Sequence, residues 1–217
     1  MITAAVILAG GQGSRMGRPK QMLPLGGKPV LLRSIEAFLT LGTIDKIAVV
    51  TTPENFKAVS SVYKGLIHAL PGESRVISLL NGLKVLGKAD LIAVHDGARP
   101  LVSPRNIAEC LKAAEQYGAA VLCVPVKDTV KVVKEGFVQN TLDRSTLWAA
   151  QTPQCYRGEV LFKAMEKYGS LKDATDESQL VEKTGVKVRV VLSDYQNLKI
   201  TTPEDLITAE AFLCKQK

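Results

Sequence analysis

The chain has 217 residues, 46% of them hydrophobic and 23% charged, with a formal net charge of +7. That length fits one domain, or one domain with an embellishment, around a substantial core. The balance of apolar and charged residues is that of a soluble globular protein and not of a disordered, fibrous or membrane-embedded one. No apolar run reaches membrane-spanning length, and no basic stretch leads into an apolar leader and cleavage site, so neither a membrane partner nor a signal peptide is expected. Cys110, Cys123, Cys155 and Cys214 are scattered without a C-x-x-C pair, which argues against disulfide or zinc frameworks and for reduced thiols in a cytoplasmic setting. The positive charge is spread out and aromatics are only 5% of residues, so nucleic acid is not the expected partner. Small polyphosphates suit such a surface equally well.

The elements in chain order begin with Ile2 to Leu8, a Val/Ile/Ala run that reads as a strand buried on both faces. It stops at Ala9-Gly10-Gly11-Gln12-Gly13, where glycines let the backbone approach a ligand closely and successive N–H groups can line a phosphate nest. Arg15, Arg18 and Lys20 follow at once. Taken singly these are a tight turn and solvated cations; together they point to a polyphosphate site at the carboxyl end of a first parallel strand. The P-loop pattern is absent, since Gly26-Gly27-Lys28 runs into Pro29. The dinucleotide fingerprint is absent too: Gly11, Gly13 and Gly17 are wrongly spaced, Pro19 and Pro24 oppose a helix, and no acid ends the second strand.

Pro29 opens a helix with the stripe Leu31, Ile35, Phe38 and Leu39, stopped by Gly42. Lys46 to Thr51 is the second strand, Pro53 to Val59 a helix and Gly65 to Ala69 a short strand. Ser74 to Leu86 is helical, with Gly87 as stop, and Asp90 to His95 is a strand. Ser103-Pro104 caps the next helix, which Gly118 closes, and Ala119 to Val124 is a further strand. This alternation predicts an α/β fold, a mostly parallel twisted sheet with helices on both faces. The pattern then changes. Lys127 to Val133 and Phe137 to Leu142 are β-rich around Lys134-Glu135-Gly136, a hairpin that projects from the body as an arm over about residues 126–147. Its open edges suggest packing on a second subunit, a homodimer. Trp148 to Gln151 returns to the body, with Gln151-Thr152-Pro153-Gln154 read as a turn. Gly158 to Tyr168 and a helix capped by Thr175 through Lys183 follow, then a strand from Val186 to Leu192. Thr202-Pro203-Glu204-Asp205 reads as a capping box opening the last helix. The whole chain, 1–217, reads as a single domain.

Asp96, in His95-Asp96-Gly97-Ala98-Arg99-Pro100, sits at a strand's carboxyl end. There it can hold Mg²⁺ beside substrate phosphates, or simply cap a turn. His95 is read as a packed histidine without a catalytic role. Asp128, Thr129, Lys131 and Asp143-Arg144 on the arm read as solvated, Thr175-Asp176-Glu177 as a helix start, and Lys199 as exposed. No Ser–His–Asp spacing or paired nucleophilic cysteine is present, so covalent catalysis is not expected. The residues alone describe a phosphate-binding enzyme using Mg²⁺, positioning and charge neutralisation.

The stretches LAGGQGSRMG with PKQ, PGESRVISLLNGL, HDGARP, VPVKDTVK, LDRSTLWAAQTPQ, TDES and NLKITTPEDL fall in order between residues 8 and 206. Together they resemble the 2-C-methyl-D-erythritol 4-phosphate cytidylyltransferase family of the non-mevalonate isoprenoid pathway. The resemblance implies a Rossmann-like nucleotidyltransferase body that transfers a cytidylyl group from CTP to methylerythritol phosphate. It implies that Arg15 and Lys20 stabilise charge at the reacting phosphate and that Asp96 binds Mg²⁺ or another divalent cation. Ala9, Gly10, Gly72, Glu73 and Ser78 would contact cytidine, with Gly11, Gly13 and Thr152 also binding substrate. Arg144 and Lys199 would position methylerythritol phosphate, helped by Thr129, and the exchanged arm would bring Thr129 and Arg144 to the partner's site. Three positions depart from the family pattern: Gly10 where alanine is common, Pro71 where glycine is, and Glu73 where aspartate is. The Gly-Gly form also occurs in ribitol-5-phosphate cytidylyltransferases, which makes that activity the alternative. A catalytically silent nucleotide- or nucleic-acid-binding protein is the alternative of a different class.

Overall fold

The structure, a computed structural model, describes residues 1–11, 19–170 and 176–214. A seven-stranded sheet forms its centre. Strands β1 (Thr3–Leu8), β4 (Lys46–Val50), β5 (Leu66–Ala69) and β6 (Leu91–Asp96) lie in the order β5-β4-β1-β6 and run parallel. Beyond them come β10 (Trp148–Arg157), β7 (Ala119–Pro125) and the edge strand β11 (Arg189–Leu192). β10 runs antiparallel to both its neighbours, and β11 pairs parallel with β7. A short hairpin of β2 (Pro24–Leu25) and β3 (Lys28–Pro29) lies outside this sheet.

Both faces are covered because successive residues of a strand point to opposite sides and nearly all of them are apolar. In β1, Ala5 and Ile7 enter one core and Ala4 and Val6 the other. The first core takes Leu31, Ile35 and Phe38 of α1 (Val30–Leu39), Val59 of α2 (Pro53–Val62), and Ile107, Cys110 and Ala114 of α4 (Pro104–Tyr117). The second takes Leu79 and Leu83 of α3 (Arg75–Leu86), Leu161 and Met165 of α5 (Gly158–Tyr168), and Leu180 of α6 (Glu177–Glu182). The last helix, α7 (Pro203–Cys214), closes a smaller cluster with Leu25, Val30 and Ile200. At its start, where a capping box is expected, Asp205 Oδ2 accepts the amides of Thr201 and Thr202 at 2.8 Å each.

The arm consists of β8 (Lys131–Lys134) and β9 (Phe137–Thr141) around Glu135 and Gly136, whose φ values of 54° and 83° are those of a two-residue hairpin turn. The first arm strand is shorter than its sequence pattern suggests. The Lys127 carbonyl is taken instead by Arg144 Nη1 at 2.5 Å, in the segment after the hairpin. Three other expectations are corrected. Gln151-Thr152-Pro153-Gln154 is not a turn but the middle of β10, where a register shift between Ala150 and Gln154 and a cis Thr152–Pro153 bond accommodate the proline. The helix at TDES is capped by Asp176, whose carboxylate accepts from Gln179 N at 3.1 Å; Thr175 lies outside the described residues. The last strand begins only at Arg189, because Val186 and Val188 pack on the second core and do not join the sheet ladder.

Candidate active site

The sheet order reverses at β1. The chain proceeds outward through β4 and β5, then returns to place β6 on the other side. Leu8 lies level with Asp96 and with Val50, so the carboxyl ends of these strands open into one crevice, the place where open α/β sheets bind ligands. A cleft of about 590 Å³ occupies it. Gly10, Gly11 and Lys20 line it from the β1 side, Gly72, Glu73 and Ser78 from the β5–α3 connection and helix, and Asp96 and Lys199 from the remaining walls. Eight residues anticipated from the sequence thus meet in one space, from segments up to 189 positions apart along the chain, Gly10 to Lys199.

The glycines are required by close approach. A Cβ on Gly10 would overlap Pro71, and one on Gly72 would overlap Ile77. Gly10 and Pro71 are therefore complementary: the side chain absent from one wall is present on the other. Gln21 donates Nε2–H to the Gly11 carbonyl at 2.6 Å. Ala9 lies beneath the cleft and not on its surface. Its amide donates to Val50 O at 2.8 Å and its carbonyl accepts from Thr51 Oγ1 at 3.2 Å. Gly13 and Arg15 lie outside the described residues. Ser78 Oγ accepts the Gly72 amide at 3.0 Å, and Ser74 caps α3 by accepting from Ile77 N at 3.2 Å.

Asp96 is the electrostatic centre. Its Oδ1 pairs with Arg75 Nη2 at 2.9 Å, and its Oδ2 with Lys199 Nζ at 2.7 Å and, more distantly, with Arg99 Nε at 3.8 Å. Burial works to raise the pKa of this carboxyl, but the charges of Arg75, Lys199 and Arg99 outweigh it and hold the group well below the usual carboxylate range. Arg75 Nη1 in turn pairs with Glu177, which is only 2% exposed. Burial pushes the Glu177 carboxyl up, offset in part by Arg75.

Behind Asp96 runs a buried relay. The Asp96 amide donates to Thr152 Oγ1 at 3.0 Å, and that hydroxyl meets His95 Nδ1 at 3.0 Å. His95 Nε2 lies 3.1 Å from the Arg99 carbonyl, which can only accept. The ring therefore carries its proton on Nε2 and accepts from Thr152 at Nδ1. Burial lowers the His95 pKa to about 4, so the imidazole is neutral. Thr152, 3% exposed, holds Asp96 from behind.

Lys199 is presented by a loop that Asn197 anchors. Asn197 is fully buried; its Nδ2 donates to Gln151 Oε1 and Thr152 O, each at 2.9 Å, and its carbonyl accepts from Arg99 Nη1 at 2.7 Å. Thr129 and Arg144 sit on the exposed arm and do not line the cleft.

Sequence reasoning missed Arg75 and took Glu177 for a helix start. One signal was legible: Arg75 is the first residue of α3, where a cation opposes the helix macrodipole unless carboxylates hold it. Among the described residues there is no group of three or more His, Cys, Asp or Glu side chains that could hold a metal. A single carboxylate still fits Mg²⁺, which takes one or two carboxylates plus substrate phosphates and water, and Asp96 is held ionised as that role requires.

The sequence profile of the 2-C-methyl-D-erythritol 4-phosphate cytidylyltransferase family matches residues 3–215. The enzyme of that name from Caldanaerobacter subterraneus subsp. tengcongensis is 45% identical, over 99% of this chain and all of the relative's. That from Geobacillus thermodenitrificans is 42% identical, over 98% of this chain and 97% of the relative's. The solved structure of the 4-diphosphocytidyl-2C-methyl-D-erythritol synthase from Anaerococcus prevotii superposes with a TM-score of 0.86 at 32% identity, covering 98% of both chains. The 2-C-methyl-D-erythritol 4-phosphate cytidylyltransferase from Francisella tularensis gives 0.85 at 33% identity, covering 97% of this chain and 99% of that one.

Proposed function

The chain belongs to the 2-C-methyl-D-erythritol 4-phosphate cytidylyltransferase family, and from that premise we propose how its cleft carries the reaction. The reaction moves a cytidylyl group from CTP to 2-C-methyl-D-erythritol 4-phosphate. A phosphate oxygen of the acceptor attacks the α-phosphorus, the bond to the bridging oxygen of the β-phosphate breaks, and pyrophosphate leaves. Negative charge grows on the α-phosphate oxygens and the leaving group, so catalysis needs positioned cations more than a base.

The observation that carries the assignment is the meeting of Gly10, Gly11, Lys20, Gly72, Glu73, Ser78, Asp96 and Lys199 in one cleft at the sheet's switch point. Gly72, Glu73 and Ser78 hold the cytidine, and the backbone of Gly10 and Gly11 follows the phosphates. Lys20, with Arg15, stabilises the charge on the α-phosphate. Lys199 leaves Asp96 to hold the acceptor phosphate. Asp96 would hold Mg²⁺ or another divalent cation, which would supply further neutralisation of the phosphates. The exposed arm at 126–147 is the dimerisation insert of a single-domain subunit. It carries Thr129 and Arg144 to the partner's acceptor site, a reading supported by their position outside their own chain's cleft. Free cysteines at all four positions suit a reducing cytoplasm, and no helix among the described residues is long and apolar enough to cross a membrane.

The test is pyrophosphate release with CTP and Mg²⁺, with methylerythritol phosphate and ribitol 5-phosphate supplied in parallel. Turnover with the first alone is the expected result. Turnover with ribitol 5-phosphate alone would move the acceptor assignment to polyol phosphates, and release with neither from folded protein would overturn the reading.

A further inference from the structure

We infer that Arg75, backed by Glu177, is a positioning residue that holds the Asp96 carboxylate by Oδ1 and so leaves Oδ2 to take a cation. The inference rests on the reading of Asp96 as the metal-holding residue. The two oxygens of Asp96 have different partners. Oδ1 is turned to Arg75 Nη2 at 2.9 Å, while Oδ2 faces Lys199 at 2.7 Å and, more distantly, Arg99 Nε at 3.8 Å. Arg75 cannot turn away, because its other terminal nitrogen is held by Glu177 at the first turn of α6. One planar guanidinium thus bridges two carboxylates through separate nitrogens, a geometry that a lysine ammonium does not reproduce.

Charge supplies the second argument. Arg75, Arg99 and Lys199 surround Asp96, and Glu177 is the other carboxylate paired within that group. Without Glu177 the positive charge of Arg75 would fall wholly on Asp96 and oppose a divalent cation there. With it, Arg75 orients Asp96 while the charge of Asp96 remains available. Stability does not explain the arrangement. Buried ion pairs roughly break even against apolar replacements, and Glu177 Oε2 is left buried without a hydrogen-bond partner among the described residues.

The test is Mn²⁺ binding in the presence of CTP, followed by electron paramagnetic resonance, beside the kcat and the divalent-cation dependence of turnover. Arg75→Lys and Glu177→Gln should each weaken Mn²⁺ binding about tenfold, as removal of a ligand's supporting partner does. Adding Glu177→Gln to Arg75→Met should weaken binding no further, because Glu177 acts through Arg75. A paired Arg75→Met, Glu177→Met variant removes both buried charges together and keeps the test open if a single variant fails to fold; it too should bind Mn²⁺ weakly. Asp96→Asn separates the premises. If Asp96→Asn loses Mn²⁺ binding while folded Arg75 variants bind like the unaltered protein, the positioning role is overturned and the metal reading stands. If Asp96→Asn itself binds Mn²⁺ normally, both fall.

Discussion

The cleft and the arm carry polar residues under opposite conditions. In and behind the cleft, Asp96, His95, Thr152, Glu177 and Asn197 are all under 8% exposed, and each has named partners. On the arm, every residue from Lys131 to Asn140 is exposed, and Val133, Phe137 and Val138 present 58%, 74% and 60% of their surface. The cleft is over-determined by its own chain; the arm is shaped by its own chain but not buried by it. Burial makes a polar residue interpretable, because its partners must be present. An exposed residue acquires a role only from something outside the chain.

The largest expected effect belongs to the cleft. Lys20→Ala should lower kcat by about 10²–10³-fold, the range for losing one donor that acts on developing charge, with unchanged thermal unfolding. Normal turnover would remove Lys20 from the site. The relay behind Asp96 gives a pH signature of about 3 kcal/mol at most. His95 titrates at about 4 when folded against 6.5 when free, so the unfolded chain binds the extra proton. Stability should therefore be fully present above pH 6.5 and fall as pH drops toward 4. His95→Gln, which can still donate to the Arg99 carbonyl, should flatten that slope in denaturant titrations across the window. An unchanged slope would mean His95 is not held neutral.

A smaller effect tests the fit of Gly10 to Pro71. Gly10→Ala should weaken CTP binding or stability by about 1–3 kcal/mol through overpacking, and adding Pro71→Gly should restore much of it. Additive losses would show that the two walls are not complementary. The smallest effect belongs to the arm. Phe137→Ser should change subunit stability by under about 0.5 kcal/mol, as exposed substitutions do. If the arm joins two subunits as proposed, it should still shift the protein toward monomer in sedimentation velocity. A large loss of subunit stability would place the arm in its own chain's fold.

The same contrast decides what the sequence disclosed. β1, its glycine loop and Asp96 at the end of β6 were legible because periodicity and turn residues are local signals, and alternation of strands and helices leads to a switch point. The pairing of Arg75 with Glu177 joins positions 102 apart and leaves almost no local trace. Pro153 suggested a turn, whereas a register shift keeps it inside β10, and Thr152 acquires its task only from the neighbouring strand. Thr129 and Arg144 have no burial signature, so their assignment came from family resemblance alone.

The most direct test of the division between body and arm mixes two inactive variants. Lys20→Ala disables a subunit's own cleft; Arg144→Ala disables, on this account, the cleft of its partner. After dissociation and random reassociation, half the dimers pair the two variants, and each such dimer holds one site with both defects and one with neither. The mixture should regain about a quarter of the unaltered activity, given a symmetric dimer. No recovery, with mixed dimers demonstrated by mass, would show that Arg144 serves its own chain and would contradict the exchange.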